Sequence, residues 1–216
     1  MILPLLTTGD AAAATPAVTA HLREGRVLAY PTETVYGLGS SAHEDGLAAL
    51  ARLKGRPPKK PFLLLVSSRE MAEAWGLIFT APARVLASTF WPGPLTLVLR
   101  GGEGRLPDRL RGTEGGIAVR FTSHAGMAQL ITALGEPLTS TSANRPGTPA
   151  APGVDRIVSV FADAVASGEL LVLDGGVLGN VPPSTLVDCT GAVPLLIREG
   201  AIPRAELRRA AGRMAP

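Results

Sequence analysis

Three short segments carry side chains suited to binding a polyanion. In the first, Lys54 supplies a point charge and Arg56 a planar guanidinium two residues later, and these are complementary ways of holding phosphate oxygens. The chain has only three lysines, Lys54, Lys59 and Lys60, and all of them fall within the seven residues 54–60. Taken alone, a run of charge such as this is more often a solvated loop or helix end than a binding site.

The second segment carries hydroxyl and amide groups where a predicted strand ends. Residues 139–144 read Thr-Ser-Thr-Ser-Ala-Asn, directly after the apolar Leu138. Ser140, Ser142 and Asn144 could hydrogen-bond to ribose, phosphate or a base edge. In isolation the same residues could form a helix N-cap or an Asx turn.

The third segment, residues 30–39, changes at Pro31 from an apolar strand to hydroxyls, the carboxylate of Glu33 and glycines, which is typical of a binding loop after a strand. Residues 37–42 match the dinucleotide pattern G-x-G-x-x-A. However, the strand ends too early, and no acidic residue follows at the distance that a ribose contact needs. We instead predict that Gly37 and Gly39 form a tight turn in which the backbone closely approaches another group.

Several catalytic classes are excluded on sequence grounds. The chain has no P-loop pattern, no G-x-S-x-G, no H-E-x-x-H and no carboxylate pair in a setting that favours a glycosidase. The single Cys189 and three scattered histidines give no metal-ligand spacing, so we expect no protein metal site. Positioning and electrostatic stabilisation remain, and these can suffice for displacement at phosphorus.

The elements that must position these groups alternate between short β-rich runs and helical patterns, which predicts an α/β fold. The predicted strands are residues 26–31, 62–67, 95–100, 116–121, 137–141, 170–174, 184–188 and 194–198. The predicted helices are residues 15–23, 43–53, 69–76, 81–90, 123–134, 154–166 and 204–211.

Length and composition limit the possible domain organisation, partners and location of the protein. The 216 residues, 46% of them hydrophobic, show no linker or repeat, which favours one domain over 1–216, with a core at about 15–205 and a short C-terminal helix. The formal net charge of +3 weakly favours an anionic partner. The start lacks a basic region, and no long uncharged apolar run exists, so we expect no export signal, no membrane contact and a cytoplasmic protein.

Five motifs in this order closely resemble the YrdC-like threonylcarbamoyl-AMP synthase family, in its short, single-domain form. The match covers about residues 15–205, and several spaced motifs are far more specific than any one of them. The motifs are Pro31-Thr32-Glu33-Thr34-Val35-Tyr36-Gly37, Lys54-x-Arg56, Trp91-Pro92-Gly93-Pro94-Leu95-Thr96, Ala118-Val119-Arg120 and Ser142-x-Asn144.

The resemblance implies a three-layer fold, in which helices flank a twisted mixed β-sheet with a basic concave cleft. It implies a nucleotidyltransferase that joins ATP, L-threonine and bicarbonate into threonylcarbamoyl-AMP, with Mg2+ accompanying ATP, for threonylcarbamoyladenosine in tRNA. The expected catalytic and nucleotide-binding residues are Lys54, Arg56, Ser142 and Asn144. Further expected ATP contacts are Pro58, Ser140 and Arg198, and expected threonine contacts are Thr32, Arg120 and Ser184. Downstream threonylcarbamoyl transferase proteins are the implied partners.

Some features depart from the longer family members. The chain ends soon after Arg198, which predicts that it lacks their linker and second domain. Pro183 stands where they often carry Glu, and Leu65-Val66 stands where they often carry His, so the threonine pocket should differ in detail. Two alternatives remain at this point: a module of the same fold that binds tRNA or double-stranded RNA without synthase activity, and a paralogue with a different acceptor.

Overall fold

The computed structural model describes residues 1–55 and 60–215, in which eleven strands form one mixed sheet. The strands are β1 (Ile2–Pro4), β2 (Val27–Tyr30), β3 (Gly37–Gly39), β4 (Leu63–Val66), β5 (Leu77–Ile78), β6 (Leu95–Gly101), β7 (Ile117–Phe121), β8 (Leu138–Ser142), β9 (Leu170–Asp174), β10 (Thr185–Asp188) and β11 (Leu195–Arg198). Their spatial order is β1-β9-β2-β3-β8-β4-β7-β6-β10-β11, and β5 pairs with β6 beside this path. Parallel and antiparallel pairs are both present, which confirms the predicted mixed sheet.

The helices are α1 (Thr8–Arg23), α2 (Glu44–Lys54), α3 (Arg69–Ala74), α4 (Ala81–Phe90), α5 (Ala125–Leu134), α6 (Val154–Val160), α7 (Ala162–Ala166) and α8 (Arg204–Ala211). Among the residues that the structure covers, no helix is long and apolar enough to cross a membrane.

Side chains alternate between the two faces of the sheet, and the helices cover those faces unequally. On β2, Val27 and Ala29 join the larger core with α2 and α4, whereas Leu28 and Tyr30 join a smaller core with α1 and α5. The strand residues of the smaller core come from β2, β4, β8 and β9. The same face of β6, β7 and β10 instead lines a large cavity.

Strand β6 shows how this cavity arises. Leu95, Leu97 and Leu99 point into the larger core, so the intervening Thr96 and Val98 point the other way and line the cavity. The incomplete helical layer therefore leaves a cavity over strands whose relative positions are fixed by the hydrogen bonds of the sheet.

All eight predicted strands are present, but two helix predictions were wrong in detail. Helix α1 begins at Thr8 rather than at residue 15, because Thr7 and Asp10 form a capping box and the following alanines have high helix propensity. The predicted helix 154–166 is interrupted at Phe161, whose backbone (φ −121°, ψ 33°) separates α6 from α7. The short strands β1, β3 and β5 were not predicted.

The prediction of a tight turn at Gly37 and Gly39 was also wrong, although the close approach is real. Both residues lie in β3, between β2 and β8. A Cβ atom at Gly39 would lie 2.0 Å from the carbonyl oxygen of Thr139. Glycine is therefore required here by the spacing of two strands rather than by the geometry of a turn.

Candidate functional site

The candidate site is a cavity of about 870 Å³. This volume lies within the range of ordinary small-molecule sites. Six of the predicted site residues line it: Thr32, Arg120, Ser140, Ser142, Ser184 and Arg198. Lys54 and Asn144 adjoin it through Ser142. Arg56 and Pro58 lie outside the described residues.

One side of the site, here called the loop wall, consists of Lys54, Ser142 and Asn144. Lys54 is the last residue of α2 and is only 5% exposed. Its ammonium donates hydrogen bonds to the carbonyl oxygen of Asn144 at 2.7 Å, to the Asn144 side-chain oxygen and to the carbonyl oxygen of Ser142. A single charge thus fixes the chain where it leaves β8.

Ser142 and Asn144 are also joined directly. The Ser142 hydroxyl donates to Asn144 Oδ1 at 2.7 Å, and the Asn144 amide nitrogen donates to the carbonyl oxygen of Thr148. The predicted tetrad therefore meets in space at three of its four positions. In this arrangement Lys54 organises the peptide at the end of β8 beside the cavity, in addition to supplying positive charge.

The other side, here called the strand wall, consists of Thr96, Arg120 and Ser184. Arg120, on β7, is 4% exposed, and its Nε donates to the carbonyl oxygen of Gly93 at 3.2 Å. Its two terminal nitrogens donate to Thr34 Oγ1 at 3.1 and 3.2 Å. The guanidinium is therefore held from several directions beside the cavity.

Glu33 gives Arg120 a countercharge, with Oε1 2.6 Å from Arg120 Nη2. That contact is a close ion pair without good hydrogen-bond alignment, because Glu33 Oε1 is buried and has no partner of acceptable hydrogen-bond geometry. Thr122 donates its hydroxyl to the other carboxylate oxygen. Burial alone would raise the pKa of Glu33, but the Arg120 charge and the Thr122 hydrogen bond outweigh it and lower that pKa.

Thr32 shapes the loop between β2 and β3. Its hydroxyl donates to the carbonyl oxygen of Val35 at 2.7 Å and accepts from the backbone N–H of Thr34 at 3.3 Å and of Val35 at 3.2 Å. It also lies 3.1 Å from the Thr34 hydroxyl. Thr32 thus places Thr34 against Arg120 while it lines the cavity itself.

The remaining part of the strand wall is a pair of hydroxyls. Thr96 Oγ1 and Ser184 Oγ lie 2.8 Å apart, and Arg198 donates to the carbonyl oxygen of Ser184 at 2.8 Å. Burial lowers the pKa of Arg198, and the nearby positive charge of Arg120 lowers it further. The two arginines therefore act on one another across the cavity, and an anion between them would relieve their repulsion.

The charge of the lining is mixed. Lys60, Arg120 and Arg198 contribute positive charge, and Glu114 and Asp188 contribute negative charge. Because Arg56 and Lys59 lie outside the described residues, the basic character of the cleft stays a prediction. Within the described ranges, no group of three or more His, Cys, Asp or Glu side chains could hold a metal ion.

Sequence reasoning identified six residues of the lining but missed three residues that organise the site. Glu33, Thr34 and Thr96 were quoted only as parts of motifs, and Glu33 and Thr34 contact Arg120 from 87 and 86 positions away along the chain. Buried charges are normally paired, so burial of Arg120 implies a nearby acid, but that rule does not identify which acid it is. Leu65 and Pro183, where the sequence departs from longer relatives, also line the cavity.

The chain matches a family model, Sua5_yciO_yrdC, described as "Telomere recombination", over residues 20–200. It is 39% identical over 170 residues to the threonylcarbamoyl-AMP synthase of Chromohalobacter salexigens, which covers 78% of this chain and 89% of that protein. It is 34% identical over 192 residues to the threonylcarbamoyl-AMP synthase of Pyrococcus abyssi, which covers 88% of this chain but only 55% of the relative.

A solved structure gives the same result in three dimensions. The crystal structure of P. abyssi Sua5 complexed with L-threonine superimposes with a TM-score of 0.86 at 31% identity. The superposition covers 99% of this chain and 62% of that one. The present chain therefore spans a little more than half of the P. abyssi protein and most of the C. salexigens protein.

Proposed function

This chain belongs to the Sua5/YciO/YrdC family, and on that premise we propose that it is an L-threonylcarbamoyladenylate synthase. The proposed nucleotidyltransferase reaction forms threonylcarbamoyl-AMP and pyrophosphate from ATP, L-threonine and bicarbonate. One observation carries the proposal: a single cavity places two arginines and a hydroxyl pair beside the serines at the end of β8. Two relatives named threonylcarbamoyl-AMP synthase support this assignment, and so does the similar structure of P. abyssi Sua5 complexed with L-threonine.

The strand wall suits an α-amino acid. Arg120 offers a guanidinium that matches a carboxylate, and Glu33 keeps that guanidinium in place from behind. Thr32 and Ser184 add hydroxyl groups on the same cavity surface. We assign threonine to this side of the cavity.

The loop wall suits the nucleotide. Ser140 and Ser142 line the cavity along β8, and Lys54 and Asn144 support Ser142. Arg198 lies beside the strand wall and can neutralise phosphate oxygens that approach threonine. We assign ATP to this side, with Arg56 and Pro58 as further contacts.

The reaction needs no nucleophile from the protein. Bicarbonate takes up a proton and loses water to give CO2. The neutral threonine amine then attacks the CO2 carbon and releases one proton, which leaves a carbamate and balances the proton that bicarbonate consumed. A carbamate oxygen then bonds to the α-phosphorus, the bond from that phosphorus to the bridging oxygen breaks, and pyrophosphate leaves with the electron pair. The protein's part is to align the reactants and to offset charge.

We propose that Mg2+ enters bound to ATP and neutralises phosphate charge. A donor set of arginine, lysine and hydroxyl groups suits phosphate oxygens better than a bare cation. Mg2+ usually keeps several water ligands in such sites, and we assign it to the triphosphate and water. We further propose a cytoplasmic protein whose product passes to threonylcarbamoyl transferase proteins for tRNA modification.

The test is threonine-dependent pyrophosphate release in the presence of ATP, bicarbonate and Mg2+. We expect release that stops when threonine or bicarbonate is omitted. Arg56→Lys should lower the rate about tenfold or more if Arg56 makes a bidentate phosphate contact. Wild-type release by that variant would contradict the role of Arg56.

Absence of threonine-dependent release would overturn the proposed function. Pyrophosphate release that depends on another amine would then favour a paralogue with a different acceptor. RNA affinity that falls steeply with salt, without ATP turnover, would favour an RNA-binding module.

A further inference from the structure

Thr96 lines the cavity, and its hydroxyl forms a buried pair with the hydroxyl of Ser184. It is the second residue of β6 and is 2% exposed, and Ser184, directly before β10, is 3% exposed. Both residues line the cavity, and their hydroxyl oxygens lie 2.8 Å apart. Two buried hydroxyls therefore face the same space side by side.

The pair has hydrogen-bonding capacity that the protein leaves unused. Two hydroxyls have two donors and four acceptor lone pairs, and the bond between them uses one donor and one acceptor. Within residues 1–55 and 60–215, each of these hydroxyls has no hydrogen-bond partner except the other. Buried polar groups normally satisfy more of their capacity, so the pair is suited to a ligand that carries a hydroxyl of its own.

The sheet register places this pair next to Arg120. Thr96 is the direct cross-strand partner of Arg120 on β7, and on its other side it pairs with Leu186 of β10. Neighbouring strands lie roughly 5 Å apart, and directly paired side chains lie on the same face. A ligand whose carboxylate contacts Arg120 therefore has the hydroxyl pair one strand away.

This spacing matches a β-hydroxy amino acid. In such a molecule the carboxylate and the side-chain hydroxyl are separated by two carbon atoms, so both groups can reach neighbouring strands at once. The apolar side chains of Leu65, Ala118 and Leu186 line the same cavity and offer no competing hydrogen bond from their side chains.

We propose that Thr96 is a specificity-determining residue that, together with Ser184, recognises the side-chain hydroxyl of the amino-acid substrate. The inference rests on the proposed function and deepens it. Ser184 was already an expected threonine contact, whereas Thr96 was not. Its role is to orient the Ser184 hydroxyl and to supply the second hydrogen-bonding group to the ligand.

The test compares two ligands and three proteins by isothermal titration calorimetry. The ligands are L-threonine and L-2-aminobutyrate, which has the same carboxylate and ammonium but no hydroxyl. The proteins are the wild type, Thr96→Val, which keeps the branched shape without the hydroxyl, and Thr96→Ser, which keeps the hydroxyl without the methyl group.

We expect the wild type to prefer threonine over aminobutyrate by about tenfold or more. Thr96→Val should lose about tenfold of this preference, mainly through weaker threonine binding, while its affinity for aminobutyrate stays within about threefold. Thr96→Ser should retain the preference. Thermal unfolding of each variant checks that the fold is intact.

The outcomes distinguish a failure of this inference from a failure of the proposed function. If threonine binds and Thr96→Val keeps the full preference, the inference is overturned and the proposed function stands. If the wild type binds no threonine in the presence or absence of ATP, the proposed function is overturned and the inference with it. An equal affinity of the wild type for both ligands overturns the inference alone.

Discussion

The two walls of the cavity are held in place by different means. In the strand wall, Thr96 and Arg120 are paired directly across two neighbouring strands, so backbone hydrogen bonds fix their separation. In the loop wall, Ser142 ends a strand and Asn144 follows it, and the Lys54 ammonium holds both from the end of a helix. The comparison shows that one wall is positioned by the sheet and the other by a single side-chain charge.

The difference has a consequence for how each wall responds to substitution. Removing a side chain from the strand wall leaves the backbone in place, so the effect should appear in charge balance and ligand specificity. Removing Lys54 from the loop wall deprives three oxygen atoms of their common donor, so the effect should appear in the shape of that wall.

The largest expected effect comes from breaking the ion pair of the strand wall. Arg120→Leu leaves Glu33 partly buried without its countercharge, and we expect a loss of about 3 kcal/mol in the free energy of unfolding. This is the low end for a broken buried pair, because the Glu33 side chain keeps 21% exposure. Urea denaturation at pH 7 measures it.

The double variant Arg120→Leu/Glu33→Leu is the matched control for that prediction. Replacing both partners by apolar residues should restore most of the lost stability. Threonine binding should be lost in both the single and the double variant, because neither has the Arg120 guanidinium. Equal instability of the single and double variants would show that Arg120 stabilises the wall by packing rather than by its charge.

The loop wall should show a smaller effect that is confined to the nucleotide. Lys54→Met keeps the length of the side chain but removes the ammonium, and we expect ATP affinity to fall about 10- to 100-fold, since hydrogen bonds to a charged group are among the stronger ones. Threonine affinity should change less than about threefold. Titration calorimetry with each ligand separately gives both numbers.

Arg52→Met is the matched control on the same helix. Arg52 pairs with Glu169 on an exposed surface, and its loss should leave both affinities unchanged. If Lys54→Met weakened threonine binding as strongly as ATP binding, the two walls would not be separate units.

The smallest expected effect is a change in the pH dependence of stability. The pKa of Glu33 is lower in the folded protein than its ordinary value of 4.5, so its stabilising contribution is fully present above pH 4.5 and is lost as the pH falls through the folded pKa. Glu33→Gln cannot titrate. We therefore expect the difference in unfolding free energy between the wild type and Glu33→Gln to shrink below pH 4.5.

Denaturant titrations at several pH values between neutral and acidic check this expectation, with Glu44→Gln as a control. Glu44 is an exposed carboxylate at the start of α2 that lies 3.8 Å from Arg109, and its replacement should change the stability at acidic pH much less. A constant difference between the wild type and Glu33→Gln across this range would show that Arg120 does not depend on the Glu33 charge.

Local patterns of apolar residues in the sequence predicted much of the fold. The eight apolar runs became strands within one or two residues, and helices such as Ala81–Phe90 and Arg204–Ala211 have the predicted bounds. The errors came from signals that compete locally. The predicted start of α1 at residue 15 was late, because the capping box at Thr7 and the alanine run begin the helix earlier.

The sequence by itself determined which residues could do chemistry and how strand side chains alternate between faces, because both depend on residue type and a period of two. Only the tertiary structure decided which neighbours meet. Glu33 faces Arg120, and Thr96 faces Ser184, because the order of strands brings together segments 87 and 88 residues apart. Strand order and helix coverage are non-local properties. They determine that one face of β6, β7 and β10 lines a cavity, whereas the same face of β2, β4, β8 and β9 packs in the smaller core.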